Sequence, residues 1–189
     1  MIQPTDDRYF DDLWAASPDP WEHETRFSET RKYDLTVSAL DRPRYRRGFE
    51  PGCGIGRVTE RLARRCDELV AWDRAPRAVQ VTRDRLGAGA NVAVEVGDLG
   101  HEFPDGSFDL FVFSEILYYF TPEQVAALAE RVDDAVDEHA TLLAVHYRPL
   151  VPEHALRGDA VHGLVQEWSG WVHRAGYLDD DVRLDLWTR

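Results

Sequence analysis

The feature that most constrains the fold of this chain is a regular alternation between short apolar runs and segments whose apolar residues recur at helical spacing. Such alternation is typical of βαβ units and predicts a parallel sheet covered by helices. The predicted strands are Tyr45–Glu50, Glu68–Asp73, Asn91–Asp98, Ser107–Ser114, Ala140–Arg148, Gly170–Leu178 and Val182–Thr188. Because a triplet of aspartates joins the last two runs, they are expected to form an antiparallel hairpin at one edge of the sheet.

Helical segments are predicted between and around these strands. Their ranges are His23–Leu40, Arg57–Cys66, Ala75–Leu86, Thr121 to about Glu138, and Gly158–Trp168. The start at Thr121 carries the strongest signal, because a threonine N-cap is followed by Pro122 at the first helical position and by Gln124 in a capping box. The expected fold class is therefore α/β, a doubly wound and mostly parallel seven-stranded sheet with an antiparallel edge strand.

Length, cysteine use and charge narrow the classes of function. The 189 residues, 43% of them hydrophobic, suit one domain, and Cys53 and Cys66 form neither a disulfide framework nor a metal-ligand pattern. These features predict that the protein resides in a reducing cytoplasm. The same location is predicted by an acidic N-terminal segment that does not resemble a signal peptide and by the lack of an apolar run long enough to span a membrane. A net charge of −13 opposes binding to nucleic acid, and the oligomeric state stays open.

A glycine-rich loop follows the first predicted strand, with the sequence EPGCGIG from Glu50 to Gly56. The dinucleotide-binding pattern needs a glycine where this chain has Arg57, and the phosphate-binding P-loop pattern needs a lysine that is missing. A carboxylate at Glu50 would repel a pyrophosphate and attract a sulfonium or ammonium group. The loop therefore favours a cationic cofactor over a nicotinamide dinucleotide, and a nicotinamide-dependent oxidoreductase is disfavoured.

Two aspartates end the next two predicted strands. Asp73 stands where a carboxylate can accept hydrogen bonds from both hydroxyls of a ribose. Asp98, in the sequence Gly97-Asp98-Leu99, can accept from the exocyclic amine of adenine. Each could alternatively be a solvated carboxylate at a strand end. Together with the glycine loop, they predict a site for an adenosine-containing cofactor.

Four segments in order, EPGCGIG, AWDRAP, VGDL and FDLFVFSEILYYF, resemble the motifs of class I S-adenosylmethionine-dependent methyltransferases. The resemblance spans Tyr45 to Tyr147 and implies a Rossmann-like fold. The segments DPW from Asp19, RKY from Arg31 and SEILYYF also resemble the nodulation-factor (NodS-like) N-methyltransferases, which methylate the free amine of a chitooligosaccharide. One departure is that Val136–Ala140 replaces the Pro-Gly-Gly turn of many relatives.

The resemblance implies S-adenosyl-L-methionine as cofactor, S-adenosyl-L-homocysteine as product and no metal. The cofactor-binding residues it implies are Trp21, Tyr33, Glu50, Gly52, Cys53, Gly54, Gly56, Asp73, Arg74, Asp98, Leu99 and Ser114. Residues expected to orient or deprotonate the acceptor are Glu115, Tyr118, Tyr119, His146 and His162. Of the two tyrosines, only one is expected to face the substrate.

The expected division of the chain has three parts within one methyltransferase domain. Residues 1–42 would form a lid that includes Trp21, Phe27 and Tyr33, residues 43–148 a cofactor-binding core, and residues 149–189 a substrate-side helix and strands. The expected reaction is methyl transfer to a small-molecule acceptor, foremost an amine such as that of an amino sugar. Transfer to a hydroxyl and a non-catalytic cofactor-binding protein remain as alternatives.

Overall fold

Seven strands form one sheet in a computed structural model that describes residues 3–87 and 91–189. The strands are β1 (Tyr45–Pro51), β2 (Cys66–Asp73), β3 (Val92–Val96), β4 (Phe108–Ser114), β5 (Val136–Tyr147), β6 (Val172–Leu178) and β7 (Val182–Thr188). Their order across the sheet is β3-β2-β1-β4-β5-β7-β6. The strands β1 to β5 pair in parallel, and β7 pairs antiparallel with both β5 and β6. The predicted fold class and the edge hairpin are confirmed.

The order of the strands reverses direction between β1 and β4. In an open α/β sheet such a switch point leaves a crevice at the carboxyl ends of the strands, where ligands bind. The glycine loop follows β1 directly and therefore lies at this crevice.

Helices cover the sheet and its carboxyl edge. Their bounds are α1 (Asp7–Ala16), α2 (Phe27–Ser38), α3 (Arg57–Leu62), α4 (Pro76–Leu86), α5 (Pro122–Ala135) and α6 (Gly158–Gln166), and a 3₁₀ turn spans Leu117–Tyr119. The capping box predicted at Thr121 is present: its Oγ1 accepts from the Gln124 N–H at 3.3 Å, and Gln124 Oε1 accepts from the Thr121 N–H at 2.9 Å.

Three predicted boundaries are wrong. Helix α5 ends at Ala135, and β5 begins at Val136, which is extended and pairs with Phe108. No separate turn lies between α5 and β5, which explains why this chain does not need the Pro-Gly-Gly sequence of many relatives at this place. Likewise, helical spacing predicted that Cys66 belongs to α3. In the structure Cys66 belongs to β2, because it pairs with Tyr45 in the sheet.

The third boundary concerns the N-terminal region. Helix α2 begins at Phe27 instead of at residue 23, and helix α1 was not predicted at all. Two signals for α1 exist in the sequence: the Asp6 carboxylate caps it by accepting from the Arg8 N–H at 2.9 Å, and Phe10 and Trp14 lie four residues apart.

The core lies on both faces of the sheet. All seven residues of the central strand β4 are buried, and its side chains alternate between the two faces. Phe111 and Phe113 belong to the cluster that includes residues of α5 and α6, whereas Leu110 and Val112 belong to the cluster that includes residues of α2 and α3. This double coverage holds the carboxyl ends of the central strands in place. Within the described ranges, no helix is both long and apolar enough to cross a membrane.

Candidate active site

A cavity of about 620 Å³ lies at the carboxyl ends of the central strands. The glycine loop, the ends of β2 and β4, and the 3₁₀ turn form its floor and walls, and the N-terminal segment covers it. Its size is within the range typical of sites for small molecules and cofactors.

The glycine loop presents open backbone to this cavity. Gly52, Gly54 and Gly56 all have positive φ angles, of 73°, 55° and 77°, which residues with a side chain rarely adopt. A Cβ at Gly56 would lie 2.8 Å from Thr82 Cγ2, so this glycine permits close packing of the loop on α4. A Cβ at Gly54, by contrast, would meet no atom within 4 Å. Since Gly54 lines the cavity, its open side forms a cradle for a ligand.

Asp73, at the end of β2, and Asp98, which lies two residues after β3 rather than at its predicted end, line the same cavity. Asp73 is buried, and its carboxylate accepts hydrogen bonds from the Gly54 N–H at 3.0 Å and the Ala75 N–H at 2.9 Å. Burial raises the pKa of Asp73. The two backbone donors orient the carboxylate, and its remaining lone pairs can accept from the hydroxyls of a ligand. Asp98 Oδ1 accepts from the Gly100 N–H at 2.8 Å, which fixes the turn after β3.

Glu50 is buried behind the glycine loop rather than lining the cavity. Its Oε2 has no hydrogen-bond partner within residues 3–87 and 91–189. Burial, together with the charge of Asp73, raises the pKa of Glu50 to about 8. An unpartnered buried carboxyl group is costly, and a positive charge held at the loop in front of it would stabilise its ionised form.

The N-terminal segment closes the cavity from above. Trp14 is buried against Ile55 of the glycine loop, and its ring contacts that of Trp21 edge-on at 5.8 Å. The Arg74 guanidinium lies 5.3 Å from the centre of the Phe10 ring. Helix α1 and the segment after it therefore cover the cavity, and Phe10 and Trp14 are contacts that sequence reasoning missed. Phe27, predicted to belong to the lid contacts, is 81% exposed and does not line the cavity.

A cluster of charges lies at the other end of the cavity. The ammonium group of Lys32 is buried between two carboxylates, 2.9 Å from Glu29 Oε2 and 2.9 Å from Glu115 Oε2. Burial lowers the pKa of this lysine, but the two carboxylates outweigh that effect and raise it, so the ammonium stays charged. Glu29 also accepts from the Tyr33 hydroxyl at 3.2 Å.

Glu115 connects this cluster to the sheet. Its backbone has a φ of 58°, uncommon for a residue with a side chain, and its N–H donates to Val145 at 2.9 Å. Its Oε1 accepts from the Tyr147 N–H at 2.7 Å, and its Oε2 accepts from the Tyr118 hydroxyl at 3.1 Å. This strained position after β4 directs the carboxylate towards both Lys32 of helix α2 and the 3₁₀ turn.

Both tyrosines of the 3₁₀ turn line the cavity, but Tyr118 is buried in the core whereas Tyr119 is only partly buried, so the expectation that only one of them faces the substrate stays a prediction. The rings of Tyr118 and Tyr119 meet edge-on at 4.7 Å, because a tight turn brings consecutive side chains to the same opening. The imidazole of His154 stacks on Tyr118 at 3.7 Å.

His146 and His162 are fully buried outside the cavity, in a chain of hydrogen bonds. The Leu117 N–H donates to His146 Nε2 at 3.2 Å, His146 Nδ1 lies 3.1 Å from His162 Nε2, and His162 Nδ1 lies 2.7 Å from Asp185 Oδ2. Burial lowers the pKa of both histidines, so both rings are neutral. Because Leu117 is the donor at one end, each ring carries its hydrogen on Nδ1 and donates towards Asp185.

Asp185 is the charged end of this chain. Burial raises its pKa, but hydrogen bonds from His162, His173 and Arg183 outweigh that effect and lower it to about 2. The chain Leu117–His146–His162–Asp185 thus ties the 3₁₀ turn to β5, α6 and β7. In this structure His146 contacts the turn that carries Tyr118, His162 contacts His146 and Asp185, and neither histidine lines the cavity.

The sequence-predicted residues therefore divide into two groups. Those that line the cavity are Trp21, Gly52, Gly54, Asp73, Arg74, Asp98, Leu99, Glu115, Tyr118 and Tyr119. Those that lie outside its lining are Tyr33, Glu50, Cys53, Gly56, Ser114, His146 and His162. Cavity residues that sequence reasoning missed include Tyr9, Phe10, Trp14, His23, Glu29, Lys32, Tyr147 and His154. Lys32 had a usable signal, since it is the chain's one lysine and follows Glu29 by a helical turn.

Comparisons with known proteins identify several relatives. The family described as "Methyltransferase domain" matches residues 49–138. Nodulation protein S from Sinorhizobium fredii (strain NBRC 101917 / NGR234) is 30% identical over 163 residues, which cover 85% of this chain and 68% of that protein.

Two solved structures share the architecture. A Pseudomonas syringae protein, provisionally described as a methyltransferase, is 38% identical with a TM-score of 0.77 and covers 87% of this chain and 100% of its own. The N-methyltransferase NodS from Bradyrhizobium japonicum WM9, in complex with S-adenosyl-L-homocysteine, is 22% identical with a TM-score of 0.83. The alignment covers 97% of this chain and 99% of that one, and at this identity it establishes the shared fold.

Proposed function

This chain belongs to the NodS-like class I S-adenosylmethionine-dependent methyltransferases, and we propose that it methylates the amine of a small molecule such as an amino sugar. The cofactor and the class of reaction follow from the family. The choice of an amine, and the roles of individual residues, are the subject of the proposal.

The cofactor end of the cavity fits S-adenosylmethionine on two observations: the open side of Gly54 and the unpartnered Oε2 of Glu50. This cofactor supplies a methyl carbon activated by a positively charged sulfur. We assign the ribose hydroxyls to Asp73, the adenine to Asp98 and Leu99, and the methionine part to Glu50 and the loop. Because the carboxyl group of Glu50 is buried, a positive charge nearby would stabilise its ionised form.

The observation that carries the choice of an amine is the pair of carboxylates at the acceptor end. Glu29 and Glu115 flank Lys32, so the three charges sum to −1, and Asp181 adds another carboxylate to the cavity lining. A protonated amine would be attracted to this end, whereas an anionic acceptor would be repelled by the excess of carboxylates.

Flat side chains complete the acceptor end. Trp21, Tyr118, Tyr147 and His154 all line the cavity, and Trp21 and Tyr118 each stack with a histidine ring. Aromatic walls combined with a few fixed polar groups are typical of sites that bind small molecules in one orientation. They offer faces on which the ring of an amino sugar can rest.

We retain the predicted division of the chain as part of this proposal. Residues 1–42 supply the lid and most of the acceptor charges, residues 43–148 hold the cofactor, and residues 149–189 add the wall with His154 and Val182. The cytoplasmic location also stays a prediction, supported by the two free, buried cysteines.

A transfer assay with a panel of matched acceptors tests the choice of an amine. The panel pairs a chitooligosaccharide with a free amine with its fully N-acetylated form, and adds a small tricarboxylate. We expect methyl transfer to the free amine alone. Transfer to the acetylated sugar would indicate a hydroxyl acceptor, and transfer to the tricarboxylate would show that Lys32 selects an anion; either result would contradict the proposal. Asp73→Ala serves as the control with impaired cofactor binding.

A further inference from the structure

A histidine that the sequence analysis did not consider lies at the acceptor end of the cavity. His23 precedes α2 and lines the cavity together with Glu29, Glu115 and Tyr118. Its side chain is 22% exposed, and its ring stacks on Trp21 with centroids 5.6 Å apart and planes 19° apart. The backbone N–H of His23 donates to Asp19 Oδ1 at 2.9 Å, which fixes the segment that carries the ring.

The ring nitrogens of His23 are available for a ligand. Glu29 Oε2 lies 3.7 Å from Nε2, which is too long for a hydrogen bond but close enough to stabilise a positive charge on the ring. No residue in the described part of the chain forms a hydrogen bond with either nitrogen. Elsewhere in the molecule, the nitrogens of His146 and His162 are all occupied.

The charges around His23 favour a neutral ring that can accept a proton. Burial lowers its pKa, and the positive charge of Lys32 acts in the same direction. The carboxylates of Glu29, Asp19 and Glu115 oppose this and would stabilise the imidazolium once it forms. A neutral imidazole beside a carboxylate is the arrangement expected of a general base near neutral pH.

The other histidines of the cavity suit this role less well. Burial lowers the pKa of His154 to about 4, so its ring is a weak base, and its ring is stacked face to face on Tyr118. His101 lies next to the turn of Asp98 and Gly100, at the end assigned to adenosine. Of these three, His23 combines a carboxylate oxygen 3.7 Å from its ring with a place at the acceptor end.

We propose that His23 is the catalytic base that removes a proton from the acceptor ammonium before methyl transfer. The inference rests on the proposed amine function. One N–H bond of the ammonium breaks, its electron pair stays on nitrogen as the nucleophilic lone pair, and the proton forms an N–H bond with the imidazole. The imidazolium, stabilised by Glu29, then releases the proton to water at the cavity mouth, so one proton leaves in each turnover.

Steady-state kinetics with two acceptors separate this role from a structural one. One acceptor is an alkyl amine or amino sugar that is largely protonated at pH 7, and the other is an aromatic amine of similar size that is already neutral. His23→Gln should lower kcat for the protonated acceptor by about 100-fold or more. It should leave the aromatic amine's rate and the affinity for S-adenosylhomocysteine unchanged. The control is His139→Gln, at an exposed position at the start of β5.

Two further readouts make the test decisive. The loss in His23→Gln should shrink as the pH rises and the acceptor becomes neutral in solution, and added imidazole should restore activity to His23→Ala. An equal loss with both acceptors, a loss of S-adenosylhomocysteine binding, or no loss at all would overturn the role of His23. If the wild type methylates neither amine, the proposed function itself fails and the role of His23 fails with it; this outcome is recognised without any variant.

Discussion

Replacing His162 by alanine tests whether the buried histidines stabilise the fold or act on the acceptor. The imidazole ring of His162, in α6, is fully buried. Its Nε2 lies 3.1 Å from Nδ1 of His146, and its Nδ1 lies 2.7 Å from the carboxylate of Asp185. Alanine would leave the His146 Nδ1–H without an acceptor and Asp185 without one of its donors. Neither group could regain its partner unless water entered the space.

The expected cost follows from these two losses. A hydrogen bond to a charged group contributes about 1.5–3 kcal/mol, and a buried donor left unpaired costs about 1–3 kcal/mol. A water molecule admitted to the vacated space would offset part of this, so we expect a loss of about 3 kcal/mol. That is a large fraction of the roughly 5–15 kcal/mol that stabilises a domain, and it corresponds to a fall in Tm of about 6–12 °C.

Urea unfolding followed by circular dichroism measures this loss, with His173→Ala as the matched control. His173 binds the other oxygen of the same carboxylate at 2.7 Å, but its side chain is 40% exposed, so water can replace it. We expect the control to lose less than about 1 kcal/mol. If His162→Ala lost no more stability than His173→Ala while activity collapsed, the assignment of His162 to the fold would be refuted.

Three further predictions concern the cofactor end. Asp73→Ala should weaken S-adenosylhomocysteine binding by about 2–3 kcal/mol, roughly 30- to 150-fold, because hydroxyl bonds to a charged, oriented acceptor are lost; calorimetry that shows unchanged affinity would refute the ribose assignment. Gly56→Ala should lower the unfolding free energy more than Gly54→Ala, because both adopt positive φ but only the methyl group at Gly56 meets Thr82; equal losses in urea unfolding would contradict this. The stabilising contribution of Glu50 to the ligand-free protein should fall as the pH rises from about 5 to 8, because its raised pKa makes folded Glu50 bind a proton that the unfolded chain releases; the unfolding free energy of the wild type relative to Glu50→Gln should therefore decrease over this range in urea unfolding, and a difference that does not change with pH would refute the assignment.

Local patterns were sufficient to predict most of the fold. The strands, the capping box at Thr121 and the glycine loop are encoded over a few residues, and the structure confirms them. Two of the wrong boundaries, at Cys66 and at Val136, lie where long-range pairing overrode local periodicity, because both residues join strands. The backbone hydrogen bonds of a sheet depend on partners far away in the chain, so short windows cannot locate its ends.

The cavity was predictable to a different degree at its two ends. The cofactor end is built from strand ends and one loop, which the chain order places together once a parallel sheet is assumed; Gly52, Gly54, Asp73 and Asp98 lie there as expected. The acceptor end combines side chains from three separate regions. Lys32 contacts Glu115, which lies 83 positions later in the chain, and no local sequence pattern predicts that contact.

By itself, the sequence determined the class of fold, the family and the kind of cofactor, because periodicity and the spacing of glycines and strand-end acids act through short-range geometry. Only the tertiary structure decided which polar residues line the cavity and which are buried outside it. Burial and hydrogen-bond partners set the charge and accessibility of a side chain, and both depend on residues far away in the chain. That is why His146 and His162, plausible catalytic residues by sequence, lie outside the cavity, while His23 and Glu29 line it.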